Sequence, residues 1–389
     1  MKKVTVIGAG ITGITTAYKL VQRGFKVRII DQNKYPAMQT SYANGCQLSA
    51  SNAETWNSWS NVRKGLGWMT QSSAPLKISP QPTAHKIGWM TRFLANIPNQ
   101  KRNTHLTCSM ALAAHAVYDK IANDESIDFD RVNRGILHIY CKEKDVKHAR
   151  SVNELYKDCG LNRREVTPEE IEAIEPELDT GNIIAGFYND QDFTGDIHKF
   201  CNNLFKVLRA KYAVDFMNKP VNDLDIRTIA REGPVVICAG VNSPGLARSV
   251  GDRLHIYPVK GYSITVNNPG SKTPWTSLLD DETKIVSARL GEDRFRAAGT
   301  AEFSGFNRDI KKHRIDPLVN WTESLFPGMH TREITPWAGL RPMTPDMMPI
   351  VKQSTKNSNV YYNTGHGHLG WTLSAYTAEG IAKIVKETQ

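Results

Sequence analysis

The stretch Val4-Thr5-Val6-Ile7-Gly8-Ala9-Gly10-Ile11-Thr12-Gly13 joins an apolar run to a Gly-x-Gly-x-x-Gly turn. The run predicts a buried strand, and the turn leads it into a helix. Gly8 permits a tight bend, Gly10 has no Cβ to keep a pyrophosphate off the backbone, and Gly13 lets the helix pack on the strand. Phosphates then sit on the unpaired N–H groups of the helix start, at Ile11 and Thr12. Val27-Arg28-Ile29-Ile30 reads as the second strand; Asp31 at its end is placed to accept hydrogen bonds from ribose hydroxyls, with Gln32 beside it. A glycine pattern alone also occurs in turns that bind nothing. Here a strand precedes it, Ala17 follows the last glycine by four residues, and an acid closes a unit of about thirty residues, so the stretch predicts a dinucleotide grip.

A chain of 389 residues has room for two domains, and 40% hydrophobic with 23% charged residues is the balance of an ordinary soluble protein. The N-terminus enters the nucleotide motif directly, without the apolar core and cleavage site of a signal peptide. No apolar run approaches the roughly eighteen residues of a spanning helix. Cys46, Cys108, Cys141, Cys159, Cys201 and Cys238 show neither a CxxC pair nor metal-ligand spacing. Reduced thiols, a cytoplasmic location and no bound metal are therefore expected. The formal net charge of +10 is spread along the chain, with no basic arm, so no nucleic-acid partner is expected. Peripheral attachment to anionic lipid is the functional alternative to a plain solvated surface.

From Trp56 to about Ala122 helical periodicity dominates, broken by Ser79-Pro80-Gln81-Pro82. Thr167-Pro168-Glu169-Glu170 is a helix start, and a helix is expected from Ile197 to Ala210. Val235-Val236-Ile237-Cys238 reads as a short buried strand that ends in Ala239 and Gly240 beneath the nucleotide. Residues 256–300 alternate apolar and polar and read as antiparallel sheet. Asn359 to Asn363 is a last strand before a glycine-rich turn and a closing helix. The fold expected is α/β (α+β overall): a Rossmann-like domain from residues 1–52, 163–254 and 337–389, and a substrate domain of antiparallel sheet and helices from 53–162 and 255–336.

Four blocks carry a specific resemblance: Thr40-Ser41-Tyr42-Ala43-Asn44-Gly45-Cys46-Gln47-Leu48-Ser49, Ile256 to Ser263, Trp337-Ala338-Gly339-Leu340-Arg341-Pro342-Met343-Thr344-Pro345-Asp346, and Asn363 to Thr372. In this order they resemble the bacterial D-amino-acid dehydrogenases of small-subunit type, within the FAD-dependent D-amino-acid and glycine oxidases. Cys46 departs from the small residue usual in its loop, and the chain stops sooner after its last helix than many relatives.

The resemblance implies FAD as the cofactor, a D-amino acid as substrate, and a quinone or other carrier as electron acceptor. A single Gly-x-Gly-x-x-Gly unit leaves no second site for a nicotinamide. The resemblance places Thr40, Ser41, Asn44, Gly45, Cys46 and Gln47 along the ribityl chain and flavin edge, with Gly339 nearby. It gives the Val221 backbone to the adenine, though a plain strand residue is the alternative. Gly367, His368, Leu369, Gly370, Trp371 and Thr372 bring a backbone without bulk and a helix N-terminus against the ring, where N–H groups stabilise charge on reduced flavin. His366 and His368 read as polar loop residues rather than metal ligands.

Arg341 supplies the planar, permanent charge that a substrate carboxylate needs, and the resemblance makes it the carboxylate anchor, with an interdomain ion pair as the alternative. Tyr262 or Tyr257 could touch the same carboxylate; strand alternation puts only one on the right face, and Tyr262 is preferred. Arg289 could be a second contact. Trp56, Trp59, Trp68 and Trp89 read as core, or as the roof of the pocket. The activity implied is oxidation of the amino acid to an imine, which water converts to a 2-oxo acid and ammonia. Rivals are a same-fold oxidase of glycine, sarcosine, D-proline or hydroxyproline, a hydroxy-acid dehydrogenase with a histidine base, and a flavin-bearing RNA-modifying module.

Overall fold

The computed structural model describes residues 2–68, 74–220 and 225–389. The chain opens with β1 (Lys3–Ile7), α1 (Ile11–Gln22), β2 (Lys26–Asp31), β3 (Gln47–Leu48), α2 (Trp59–Trp68), β4 (Leu76–Ile78), α3 (Ala84–Ala95) and α4 (Gln100–Asp124). It continues through β5 (Ile136–Tyr140), α5 (Glu143–Lys157), β6 (Arg164–Val166), α6 (Pro168–Ile174), β7 (Ala185–Asn189), β8 (Phe193–Thr194), α7 (Ile197–Ala210) and β9 (Asp215–Asn218). Next come α8 (Ile226–Glu232), β10 (Val235–Ile237), α9 (Ser243–Ser249), β11 (Tyr257–Asn267), β12 (Ser277–Asp280), β13 (Ile285–Leu290) and β14 (Arg294–Phe303). It ends with α10 (Lys312–Leu325), β15 (Glu333–Met343), β16 (Ile350–Gln353), β17 (Val360–Thr364) and α11 (Gly370–Thr388).

Six strands form the nucleotide sheet, in the order β16-β17-β10-β1-β2-β9, all parallel except β16. A parallel sheet is covered on both faces, so its strands are apolar without interruption. Val4, Val6, Val27 and Ile29 pack towards α1, α7 and α11; Ile7, Ile30, Val235 and Ile237 pack towards α8 and α9. Two glycines of the motif are required by this packing. Gly8 sits at φ +108°, and a Cβ there would stand 2.5 Å from the Cys238 carbonyl oxygen. A Cβ on Gly13 would stand 1.8 Å from the carbonyl oxygen of Gly8.

The second sheet runs β15-β11-β14-β13-β12-β5-β7-β6, with β4 added against β14. Most pairs are antiparallel as expected, but β12–β5 and β4–β14 are parallel, and β4 interrupts the expected helical stretch. One face of this sheet is closed by α10 through Tyr262, Ile264, Val266, Leu318 and Trp321. Two expected boundaries shift. β6 and β7 hydrogen-bond into this sheet beside β5, so residues 164–189 leave the nucleotide layer in which 163–254 had placed them. β15 pairs with β11 along its whole length, so residues 337–343 go with it. Strand pairing over long separations decided both, and no composition change marks either boundary.

The expected helix starts are present. Thr167 accepts from the backbone N–H of Glu170, whose side chain returns to the Thr167 N–H, and Asp196 caps α7 at Ile197. A buried carboxylate, Asp192, accepts from the N–H groups of Ala50 and Ser51 and from the hydroxyls of Ser49 and Ser51, pinning the loop beside β3. Ser51 also meets His138 Nε2 at 2.7 Å. The set looks like a nucleophile with its base. It is sealed in the interior, however, and burial pushes His138 well below the usual histidine range.

Candidate active site

One cavity of ≈ 640 Å³ lies between the two sheets, at the carboxyl ends of β1, β10 and β17. That is the place where open α/β sheets bind ligands. Its walls collect Gly8, Gly10, Ile11, Thr12, Asp31 and Gln32 from the motif, and Thr40, Ser41, Asn44, Gly45, Cys46 and Gln47 from the following loop. Ala239, Gly240, Gly339 and Arg341, with Gly367, His368, Leu369, Gly370, Trp371 and Thr372, complete the expected set. Gly13 lies behind the wall, in the helix–strand contact. Val221 falls outside the described residues.

The motif end is built for a dinucleotide. Ala9 N–H donates to Asp31 Oδ2 at 2.7 Å, and Asn33 donates to Oδ1, which fixes the carboxylate at the carboxyl end of β2. Gly10 caps α1 with no side chain of its own, as a phosphate at a helix start requires, although the Ile11 N–H expected to hold that phosphate already donates to Ser41. A Cβ on Gly10 would meet only the Ser41 hydroxyl, at 3.4 Å, so the space beyond it belongs to the cavity. Ser41 accepts from Ile11 N–H at 3.1 Å, and Thr40 donates to the Leu340 carbonyl at 2.7 Å, tying the flavin-side loop to α1 and to β15. At the other end Trp371, in the first turn of α11, lines the cavity, its indole ring packed against Tyr118 and Phe200 and its buried Nε1 without a partner among the described residues. These residues fit FAD.

Arg341 projects from β15 onto the cavity wall. A Cβ on Gly261 would come within 2.4–2.5 Å of three guanidinium atoms, so the guanidinium lies flat against bare backbone. The support is a β-bulge: between the pairs Tyr262↔Gly299 and Lys260↔Glu302, two residues of β14 oppose the single Gly261. Thr300, one of the two, sits at φ +63°, a conformation that costs a β-branched residue. Its carbonyl accepts from Arg341 Nη1 at 2.6 Å. Among the described residues no carboxylate pairs with Arg341, and burial pulls its pKa down to about 10. An uncompensated guanidinium facing a cavity calls for an anionic ligand.

The two tyrosines are corrections. Tyr262 is among the residues that line the cavity, but its hydroxyl is turned to the far face of β11, where it donates to Glu302 at 2.9 Å within a buried group that includes Lys260. Tyr257 does take the opposite face, but it packs among His85, Trp89 and Phe303 and does not line the cavity. The residue of β11 that does address the flavin-side loop is Ser263, donating to the Ala43 carbonyl at 2.8 Å. Arg289 lies against Trp275 and donates to the carbonyls of Thr273 and Gly291, a structural role. Trp56, Trp68 and Trp89 line the cavity, whereas Trp59 is exposed.

Cys46 and the two loop histidines differ in chemistry. Cys46 is fully buried with Sγ accepting from Arg296 at 3.3 Å, and burial pushes its thiol up to about 11. His366 and His368 are both pulled down to about 3 by burial. Among the described residues no group of His, Cys, Asp and Glu is arranged to hold a metal ion.

Similarity to known proteins gives the family. The chain belongs to the FAD-dependent oxidoreductases, whose family description matches residues 3–384. Within that class it groups with the D-amino acid dehydrogenases. It is 49% identical to D-amino acid dehydrogenase 3 of Mesorhizobium japonicum, over 99% of this chain and 97% of that one. It is 38% identical to the D-amino acid dehydrogenase of Paramagnetospirillum magneticum, over 98% and 94%. Among solved structures, glycine oxidase from Geobacillus kaustophilus superposes with a TM-score of 0.76 at 18% identity, covering 100% of this chain and 96% of its own. The L-proline dehydrogenase of P. horikoshii gives 0.74 at 15%, covering 99% and 93%. At these identities the structures show the fold alone.

Proposed function

We propose that the protein oxidises D-amino acids to 2-oxo acids and ammonia and passes the electrons to a quinone or another carrier. Bound FAD supplies the acceptor for the hydride leaving the substrate Cα; water then hydrolyses the imine. The observation that carries this reading is Arg341, a cation on the cavity wall whose missing counter-ion a substrate carboxylate supplies. Its rigid seat on Gly261 and Thr300 orients the substrate, and orientation of this kind supplies much of a catalytic rate. Dehydrogenase rather than oxidase use rests on the names of the two relatives above.

The test is turnover of a panel of D- and L-amino acids with an artificial dye, anaerobically, then with a soluble quinone and with oxygen. Reduction by D-amino acids with the dye or quinone, and little peroxide in air, is the expected result. Activity confined to L-enantiomers overturns the substrate, and peroxide in proportion to turnover overturns the acceptor. Among the described residues no helix is long and apolar enough to cross a membrane. A cytoplasmic protein resting on the membrane face is the location proposed, supported by the net charge of +10 and by exposed Trp59, Ile87 and Leu94. Co-sedimentation with anionic but not neutral vesicles tests it.

A further inference from the structure

His366 and His368 leave the same turn two residues apart, yet His366 is buried and His368 only half-buried, and they are used differently. His366 shares a hydrogen bond with the Thr377 hydroxyl at 2.8 Å, inside α11. The backbone of Asn52 lies beside the His368 ring, among the described residues neither ring nitrogen makes a well-formed hydrogen bond, and at least one nitrogen is left without any partner. Its ring is held against Trp56, with centroids 4.7 Å apart and planes 23° apart, so the orientation is set by packing. Both residues line the cavity that contains Arg341. Buried polar groups without a partner are rare, and one on a cavity wall is satisfied by what enters.

We infer that His368 is the hydrogen-bond acceptor for the α-amino group of the substrate. This inference rests on the amino-acid reading above. An α-amino acid carries its anion and its amine on one carbon, so a site for it needs a cation and, close by, an acceptor. Arg341 is near enough for its charge to help keep His368 neutral. A neutral imidazole keeps one bare ring nitrogen, which can accept from the amine but cannot stabilise an ammonium as a carboxylate would. That suits a reaction in which the amine must give up its positive charge before the Cα hydride leaves. Trp56 sets the ring's plane and closes the site to water on that side.

The test uses the FAD-loaded protein, a D-amino acid that the parent oxidises, and the matching carboxylic acid without the amine as competitive inhibitor. His368→Phe keeps an aromatic ring for Trp56 to stack on and removes the acceptor. It should raise KM for the amino acid about ten- to a hundredfold, leave Ki for the amine-free acid within about twofold, and leave flavin content and spectrum unchanged. His368→Asn, which restores an acceptor, should recover part of the loss. His368→Leu provides the same comparison if the Phe variant does not fold. Equal rises of KM and Ki, or no change in either, overturn the inference while the D-amino-acid activity stands. A parent that oxidises no D-amino acid overturns the proposed function first and this inference with it.

Discussion

Arg341 shows how a single residue is defined by what surrounds it. Its value lies in a charge without a counter-ion and a guanidinium pressed flat on Gly261. Arg341→Lys keeps the charge but loses the planar fork, and Arg341→Ala loses both. Catalytic efficiency should fall in the order parent, Lys, Ala, with a total loss of about 2–5 kcal/mol, roughly one and a half to four decades, while the flavin spectrum stays near normal. An amine lacking a carboxylate should be a poor substrate and lose little more on Arg341→Ala. If the Ala variant works as well as the parent, the carboxylate is held elsewhere. Asp31 carries a double load, since it also accepts from Ala9 and Asn33. Asp31→Ala should weaken FAD binding by about 1.5–3 kcal/mol, read by titration of the apoprotein; unchanged affinity would remove Asp31 from the ribose. Cys46 and His366 are buried and engaged, so FAD should be held noncovalently. Acid precipitation should leave the yellow in the supernatant, and a yellow pellet counts against this.

At the scale of elements, the bulge between β11 and β14 decides where Arg341 points. Gly261→Ala would put a methyl group into the guanidinium, which is the far end of a flexible side chain and can swing away. The variant should therefore fold and bind FAD with a stability loss of about 1–3 kcal/mol. Its catalytic efficiency should drop at least tenfold through KM, because the carboxylate clamp is displaced. Normal kinetics would mean that the guanidinium needs no seat. A glycine inside an otherwise regular strand is the one signal in the chain that marked this spot. It was legible as a bulge or a close approach, but not as the support of an arginine eighty positions later. The tyrosines of the same strand show the limit: alternation correctly put Tyr257 and Tyr262 on opposite faces. Which face looks into the cavity depended on where α10 packed, and it took Tyr262.

For the whole molecule, the buried histidines set a pH limit. His366 and His138 are held neutral in the folded state, below the free value of about 6.5. The unfolded chain then binds more protons than the folded one below that pH, so the His366 contribution to stability falls as pH drops from about 6.5 towards 3, by about 1.4 kcal/mol per unit, and His138 acts in the same direction. Thermal melts between pH 7.5 and 5 should show a steady loss below 6.5, shallower in His366→Gln. A melting temperature flat over that range would contradict neutral burial.

The nucleotide half was readable because its chemistry is local: strand, turn, helix and closing acid lie within the first thirty-one residues, and Gly13 answers to Gly8 five positions before it, although Gly8 itself answers to the distant Cys238. The family-specific blocks added the flavin loop and the arginine for the same reason, since each is a short contiguous stretch. The catalytic half was not readable in this way. The seat of Arg341 needs β11, β14 and β15 in register, His368 needs Trp56 brought from more than three hundred residues away, and β6 and β7 join the second sheet only by pairing with distant strands. Such contacts form when buried surface and backbone pairing offset the entropy of closing long loops, and no short window of sequence records that balance.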